Sequence, residues 1–382
     1  MNDKKKICII TTIEGTIVPF VIPAARVLQE HGWEVTLVCN MSNQFLETYK
    51  DEFHCINVPM NRGSSFKDLL TMPFFFKRYF ENEHFDIVQY ATPNASLYAS
   101  LGAKWAGVKT RLYCQWGIRY VGFSGFQRTL FKAIEKLTCT NSTHIRPASW
   151  KNLEYSVEEG LYKREKAAAI GDGGTVGVDL TQYDLSKKQH YCDEIIEQYP
   201  ILKNKVVLCF VGRFSRDKGC YELLEAFKRL HKEKKDIALL LIGDFEMKVP
   251  DTLKWIYSCP NIIMTGKDVP DVYRYMAVSS VLVHPSYREG FSMVIQEAMA
   301  MSLPVITTDI PGPSEVIEVN KTGLLAKARD TVTLFDCMKW MVEHPKEREI
   351  MGEYGRKRCE EKFSRERMLR LTLEDRENIL KA

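Results

Sequence analysis

Paired cysteines, long apolar runs, a basic excess and metal-ligand spacings are all missing from this 382-residue sequence. Each absence removes a class of function. The eleven cysteines include no Cys-x-x-Cys pair. A secreted disulfide framework or a zinc ribbon needs paired spacing, so Cys8, Cys39 and Cys209, each beside apolar neighbours, read as small core residues in a reducing compartment. No stretch approaches the ~18 apolar residues of a membrane span. Lys4-Lys5-Lys6 followed by Ile7 to Ile10 imitates a signal peptide, but Glu14 interrupts the run, and a buried first strand is the better reading. The 53 basic against 49 acidic residues give a formal charge of +4, which lacks the excess of a nucleic-acid binder. No Asp-x-Asp and no His-x-x-x-His occurs, so no metal site is visible. A cytoplasmic globular protein is expected.

At roughly 150 residues per domain, the length predicts two to three domains. The order of elements refines this. Ile7 to Thr12 reads as a strand, Thr12 to Thr16 as a loop holding Gly15, Pro19 to His31 as a helix closed by Gly32, and Glu34 to Cys39 as a second strand. Asp86 to Tyr90, a helix from Ala95 to Trp105, and Arg111 to Cys114 repeat the unit. Continuous rather than alternating apolar runs indicate strands covered on both faces, hence parallel sheets. A second series carries strands at Val206 to Val211, Ile237 to Gly243, Ile262 to Thr265, Val281 to His284 and Pro304 to Thr307. The Gly-rich stretch Gly171 to Gly177 reads as an interdomain turn, since it does not open a helix after a first strand. The expected fold is α/β, with domains at 1–178 and 179–363 and a closing amphipathic helix at 364–382.

Two loops after buried strands carry the chemistry. Gly212 to Gly219 holds Arg213 and Lys218 but lacks the Gly-Lys-Ser/Thr ending of a nucleotide-hydrolysing P-loop. Pro285 to Ala298 follows the strand ending at His284, so its loop lies at the carboxyl edge of a sheet, where open α/β folds bind ligands. Ser292 is a candidate N-cap, which puts helix N–H groups beside Gly290 and Phe291 for a phosphate or a sugar hydroxyl. Glu297 stands among Met, Val, Ile and Ala, and a carboxylate there needs hydrogen-bond donors. A ribose diol supplies two; an arginine or water are the alternatives.

Glu289 and Glu297, separated by seven residues and followed by Ala298 to Asp309, resemble the signature of retaining glycosyltransferases of family 4. The Gly212-Arg213-Phe214 to Lys218-Gly219 loop is similar to that family's phosphate-binding loop, and Gly173 to Asp179 resembles the stretch leading into its C-terminal domain. Within the family the likeness is to bacterial enzymes of capsule, O-antigen and exopolysaccharide synthesis. The resemblance implies the GT-B architecture: two Rossmann-like domains facing a cleft, with the last helix crossing back to the first. It also implies a nucleotide-sugar co-substrate, retention of configuration, no cofactor and no metal. Arg213 and Lys218 would contact the donor diphosphate, and Glu289 the donor sugar. Glu297 would hold the ribose, and Gly290, Phe291 and Ser292 would offer backbone donors. Gly266, Asp268 and Val269 match where the family reads the base, which makes uracil the expected one. Gly15 would let the backbone approach the sugar.

The first domain departs from the family pattern. Gln115-Trp116-Gly117-Ile118-Arg119 stands where relatives often carry a histidine, leaving Gln115, Trp116 and Arg119 as acceptor-side candidates, with plain core an equal reading for Trp116. Leu69 to Phe80 and Arg119 to Lys136 mix Phe and Leu with Lys and Arg, a composition suited to an anionic lipid surface and also to core-facing helices with snorkelling cations. The expected function is sugar transfer to a lipid-linked saccharide at the inner face of the cytoplasmic membrane. A nucleotide-sugar epimerase and a non-catalytic partner of an assembly complex are the alternatives.

Overall fold

The computed structural model describes residues 4–60, 63, 66–244, 246, 249–266 and 269–381. The chain divides into two compact units, one formed by Met1–Val176 with Glu366–Ala382 and the other by Gly177–Arg365.

The first unit is built on a parallel sheet of β1 (Lys6–Ile13), β2 (Glu34–Asn40), β3 (His54–Asn57), β4 (Ile87–Ala91), β5 (Thr110–Gln115) and β6 (His144–Pro147). Its order is β3-β2-β1-β4-β5-β6. Ile7, Cys8, Ile9 and Ile10 are all buried, because helices cover both faces of a parallel sheet. The second unit repeats the plan with β7 (Val206–Val211), β8 (Ile237–Ile242), β9 (Ile262–Met264), β10 (Val281–His284), β11 (Val305–Thr308) and β12 (Gly323–Ala326). Its order, β12-β11-β10-β7-β8-β9, is the same doubly wound arrangement. Strand order therefore reverses between β1 and β4 in one unit and between β7 and β10 in the other. Loops leaving such a switch point diverge to opposite faces and open a crevice for ligands.

One expected loop is a helix. Glu14–Phe20 is helical directly after β1, so Gly15 lies in a first helical turn rather than in an open loop. Pro19, expected to start a helix, sits inside this one. It lacks the N–H that would bond to Gly15, and the helix stops at Phe20 before a second runs Ile22–Glu30.

The final helix, Arg365–Lys381, packs on the first unit through a polar seam. Buried Arg376 donates from Nε to Gln89 Oε1 at 3.0 Å, and Arg146 Nε donates to Asp375 Oδ1 at 2.7 Å. Glu377 accepts from Trp33 Nε1 at 3.0 Å and pairs with Lys5. A buried guanidinium needs these partners, since unpaired it would be costly.

Candidate active site

The second unit's switch point brings the two chemistry-bearing loops into contact. Gly219 follows a 3-10 turn over Arg216–Lys218 and opens the helix Cys220–Glu233 with φ +71°. A Cβ there would stand 2.0 Å from the Pro285 carbonyl oxygen, so only glycine lets the loop after β7 lie against the loop after β10. Asp217 stitches the two further. Its carbonyl accepts from Tyr287 N at 2.8 Å, and its carboxylate accepts from Arg288 Nη2 at 3.1 Å and Ser215 Oγ at 2.6 Å. Burial alone would raise the Asp217 pKa, but Ser215 and the neighbouring cations hold it below the usual carboxylate range.

Across this seam Lys218 Nζ bonds to Glu289 Oε1, and both side chains are mostly buried. Burial opposes the Glu289 charge. A hydrogen bond from His284 and the Lys218 charge outweigh it, bringing the Glu289 pKa down to about 2. Glu289 is thus a fixed anion at neutral pH.

Arg213, by contrast, is exposed and paired with Glu246, which is exposed too. Exposed pairs contribute little, so this one is readily exchanged for a stronger anion. Ser292 caps the helix Met293–Ala300, its Oγ accepting from Ile295 N at 3.4 Å. Gly312, at φ +92°, would place a Cβ 2.2 Å from the Gly290 carbonyl oxygen, which fixes the loop ahead of that cap. Phe291 is buried with its ring edge-on to Phe363 at 5.4 Å, so only its backbone is available to a ligand.

Glu297 lies half-buried one turn into the same helix. Burial drives its pKa up to about 7, against the pull of a hydrogen bond from Tyr183 and of the Arg365 charge. The donor that sequence reasoning demanded is therefore the Tyr183 hydroxyl, with the Arg365 charge nearby. Gly266, exposed at φ +80°, forms a lone antiparallel bridge with Gly243. Val269 is half-buried nearby in sequence, while Asp268 lies outside the described residues.

In the first unit Gln115 is buried rather than presented to a ligand. Its Nε2 donates to Glu135 Oε1 at 2.7 Å, and its Oε1 accepts from Tyr162 at 3.1 Å and Ser156 at 3.3 Å. Trp116 is half-buried against Phe20 at 5.8 Å and joins the core. Arg119 reaches a larger cavity than the small one beside Trp116. Its guanidinium stacks on Phe131 at 4.3 Å, in a pocket of about 300 Å³ lined also by Asn94, Leu97, Ile134 and Glu135.

His284, Tyr183 and Glu246 touch the candidate residues and were not anticipated. Only His284 left a trace in the sequence, as a histidine ending an otherwise apolar strand immediately before the loop.

Comparison with known proteins places this arrangement among sugar-transferring enzymes. Residues 192–358 match the family model for glycosyl transferases group 1, and residues 6–148 match the one for glycosyl transferase 4-like proteins. One match falls on each unit, and the chain is a glycosyltransferase of GT-B fold. It is similar to the Staphylococcus aureus capsular polysaccharide biosynthesis glycosyltransferase CapM, at 28% identity over 368 residues, covering 94% of this chain and 93% of that protein. A glycosyltransferase structure from Rickettsia africae ESF-5 matches with TM-score 0.80 over 99% of both chains at 20% identity. Anabaena Alr3699/HepE, solved in complex with UDP, matches with TM-score 0.77 over 98% of this chain and 100% of that one, at 16% identity.

Proposed function

We propose that this glycosyltransferase moves a sugar from a UDP-sugar to a hydroxyl of a lipid-linked saccharide in surface-polysaccharide assembly, with retention and without a metal ion or other cofactor. The Lys218–Glu289 pair across the β7/β10 switch point carries this reading. On this reading Lys218 is the cation that meets the charge gathering on the leaving diphosphate, and Glu289 the fixed anion to which a sugar hydroxyl donates. Arg213 would join Lys218 on the diphosphate, exchanging Glu246 for it. Backbone N–H groups around Gly290, Phe291 and Ser292 would serve phosphate and sugar, Glu297 the ribose, and the Gly266 to Val269 segment the uracil. That HepE was solved with UDP, and that CapM serves capsule synthesis, support donor and pathway.

In front-face substitution, the bond from the anomeric carbon to the diphosphate oxygen breaks while the acceptor oxygen bonds on the same face. The acceptor proton passes to the departing phosphate, and no side chain need form a covalent intermediate. UDP release from a panel of UDP-sugars, with and without a lipid-linked acceptor, tests the reading. Acceptor-dependent release, an α-to-α linkage by NMR and insensitivity to EDTA are expected. Acceptor-independent release would favour the epimerase, and an inverted linkage would refute retention.

Removing the competitor for Arg213 should help the donor. Glu246→Gln is expected to leave stability within about 0.5 kcal/mol, as for an exposed pair. Donor affinity, read by titration calorimetry, should hold or rise, whereas Arg213→Ala should lower it.

A lipid-linked acceptor calls for a membrane-surface encounter. Of three consecutive phenylalanines on the helix Phe66–Glu83, Phe76 is buried while Phe74 and Phe75 are exposed, with Leu69 and Leu70 one turn earlier. Phe126, 80% exposed, and Leu130 stand out on the helix Gly125–Asn141. Leu69 and Phe131 line the same pocket, so the two helices flank it. Arg78 and Lys136 are exposed and suit anionic headgroups. Flotation with phosphatidylglycerol vesicles should recover the protein. Changing Phe74 and Phe75 to Ser should weaken that binding roughly tenfold or more; equal flotation would argue against this surface.

A further inference from the structure

His284 closes β10 and is buried beneath the Lys218–Glu289 pair. Its Nε2 lies 3.3 Å from Ser286 Oγ, 3.3 Å from Ser292 Oγ and 3.4 Å from Glu289 Oε1. Its Nδ1 is buried and has no hydrogen-bond partner among the described residues. A neutral imidazole carries one N–H, and where it sits can be argued from these contacts. On Nδ1 it would be a buried donor facing nothing, which proteins rarely leave. On Nε2 it faces three oxygens. An imidazolium would strand the Nδ1 proton again, beside the Lys218 ammonium. Burial depresses the His284 pKa in the same sense, only partly offset by Glu289.

The carboxylate shows an equal asymmetry. Lys218 Nζ, Ser286 Oγ at 3.5 Å and His284 Nε2 all address Glu289 Oε1. Oε2 receives no hydrogen bond from the described residues. Resting on the reading of Glu289 as the donor-sugar contact, we infer that His284, locked as the Nε2–H tautomer, is a positioning residue that pins Glu289 Oε1 and leaves Oε2 as a fixed acceptor for a donor-sugar hydroxyl. The Ser292 hydroxyl belongs to the same device, since its oxygen caps the helix whose N-terminus faces the sugar loop. The distances to Nε2 are long for hydrogen bonds, and bonds of this kind shorten in the substrate complex without a change of partner. His284 holds the anion without itself exchanging a proton.

Two measurements on the full chain test this. Nitrogen-15 NMR of the histidine rings, assigned with His284→Gln, should show protonated Nε2 and bare Nδ1 with no titration between about pH 5.5 and 8, where an ordinary histidine changes charge. A protonated Nδ1, or titration in that range, would overturn the inference. In steady-state UDP release with saturating acceptor, His284→Leu should lower kcat roughly tenfold to a hundredfold, the worth of a hydrogen bond to a charged group. KM for the donor should change little, and the pH–rate limbs should stay in place. His284→Gln, whose side-chain amide can reach the Nε2 position, should recover most of the rate. A His284→Leu rate equal to wild type, or loss of a pH limb on removing His284, would also overturn it. If wild type releases UDP from no donor, the functional reading fails while the NMR result still decides the tautomer. If His284→Leu does not fold, the Gln variant and the NMR measurement carry the decision.

Discussion

Replacing Lys218 with methionine should reduce kcat/KM for sugar transfer by roughly a hundredfold to a thousandfold, the usual cost of deleting one preorganised charge-stabilising donor. The loss should appear mainly in kcat, because the charge on the diphosphate grows as the bond to the sugar breaks. A second consequence separates this role from a purely structural one. Lys218→Met leaves Glu289 with His284 and Ser286 alone. Stability should fall by about 2 kcal/mol, less than the ~3–5 kcal/mol of a fully buried broken pair, since both side chains keep some access to water. The double variant Lys218→Met with Glu289→Gln should regain that stability without regaining activity.

Acid should expose the same pair. Glu289 has its pKa lowered from 4.5 to about 2 in the folded protein, so its stabilising contribution is complete above 4.5 and is lost as pH falls toward 2. Removing the Lys218 charge raises the folded value and should move the acid-unfolding midpoint upward. A denaturation series in pH for the three proteins checks this, and a Lys218→Met protein with wild-type transfer would dismiss the role.

The second large effect concerns Glu297. Burial raises its pKa from 4.5 to about 7, so it changes charge near neutral pH in the absence of donor. A carboxylate accepts ribose hydroxyl protons better than a carboxylic acid, so donor affinity should climb as pH rises through 7. Glu297→Gln should flatten that climb and weaken donor binding roughly tenfold or more above pH 7. Stability runs the other way. A group whose folded pKa is raised contributes stability fully present below its unfolded value of 4.5 and lost as pH rises through about 7. At pH 8, Glu297→Gln should therefore melt higher than wild type, by about 1–2 kcal/mol. A variant that binds donor more weakly yet folds more stably would mark Glu297 as a residue held for binding at a cost to the fold. Weaker binding with weaker folding would reduce it to a structural role.

The central strands could be read directly from sequence because burial on both faces leaves them continuously apolar. Val206–Val211 and Val281–His284 coincide with their expected bounds, and the other central strands differ by a residue or two. Three of the four edge strands were not anticipated: His54–Asn57, His144–Pro147 and Gly323–Ala326. Each has four residues and pairs on one side only, so little hydrophobic signal is demanded of it. Glu14–Phe20 was misread because Gly15 and Pro19 punctuate helices from outside far more often than from within.

The site divides similarly. Lys218, Glu289 and Glu297 stand out by residue type and spacing, and their resemblance to a known signature adds roles. Their partners do not stand out. Tyr183 reaches Glu297 across more than a hundred residues of sequence, and Glu246 reaches Arg213 from the loop after the next strand. Nothing local in either segment predicts the meeting; the sheet order produces it. Gln115 reads as an acceptor-side candidate because it stands where the resembled family often carries a histidine, but it ends the strand itself, and Glu135, Ser156 and Tyr162 surround it with hydrogen-bonding groups.

The helix Arg365–Lys381 gives the first unit a seam made of its two sequence extremes, with Trp33, Gln89 and Arg146 on one side and Asp375, Arg376 and Glu377 on the other. During synthesis the second unit, Gly177–Arg365, is contiguous and can fold as soon as it clears the ribosome. The first has its described strands translated far earlier, yet it lacks its covering helix until residues 365–381 are made, after the whole second unit. Over that interval the indole of Trp33 and the amide of Gln89 lack the partners that the helix Arg365–Lys381 supplies, so the first unit stays open along that seam until the second unit has been made.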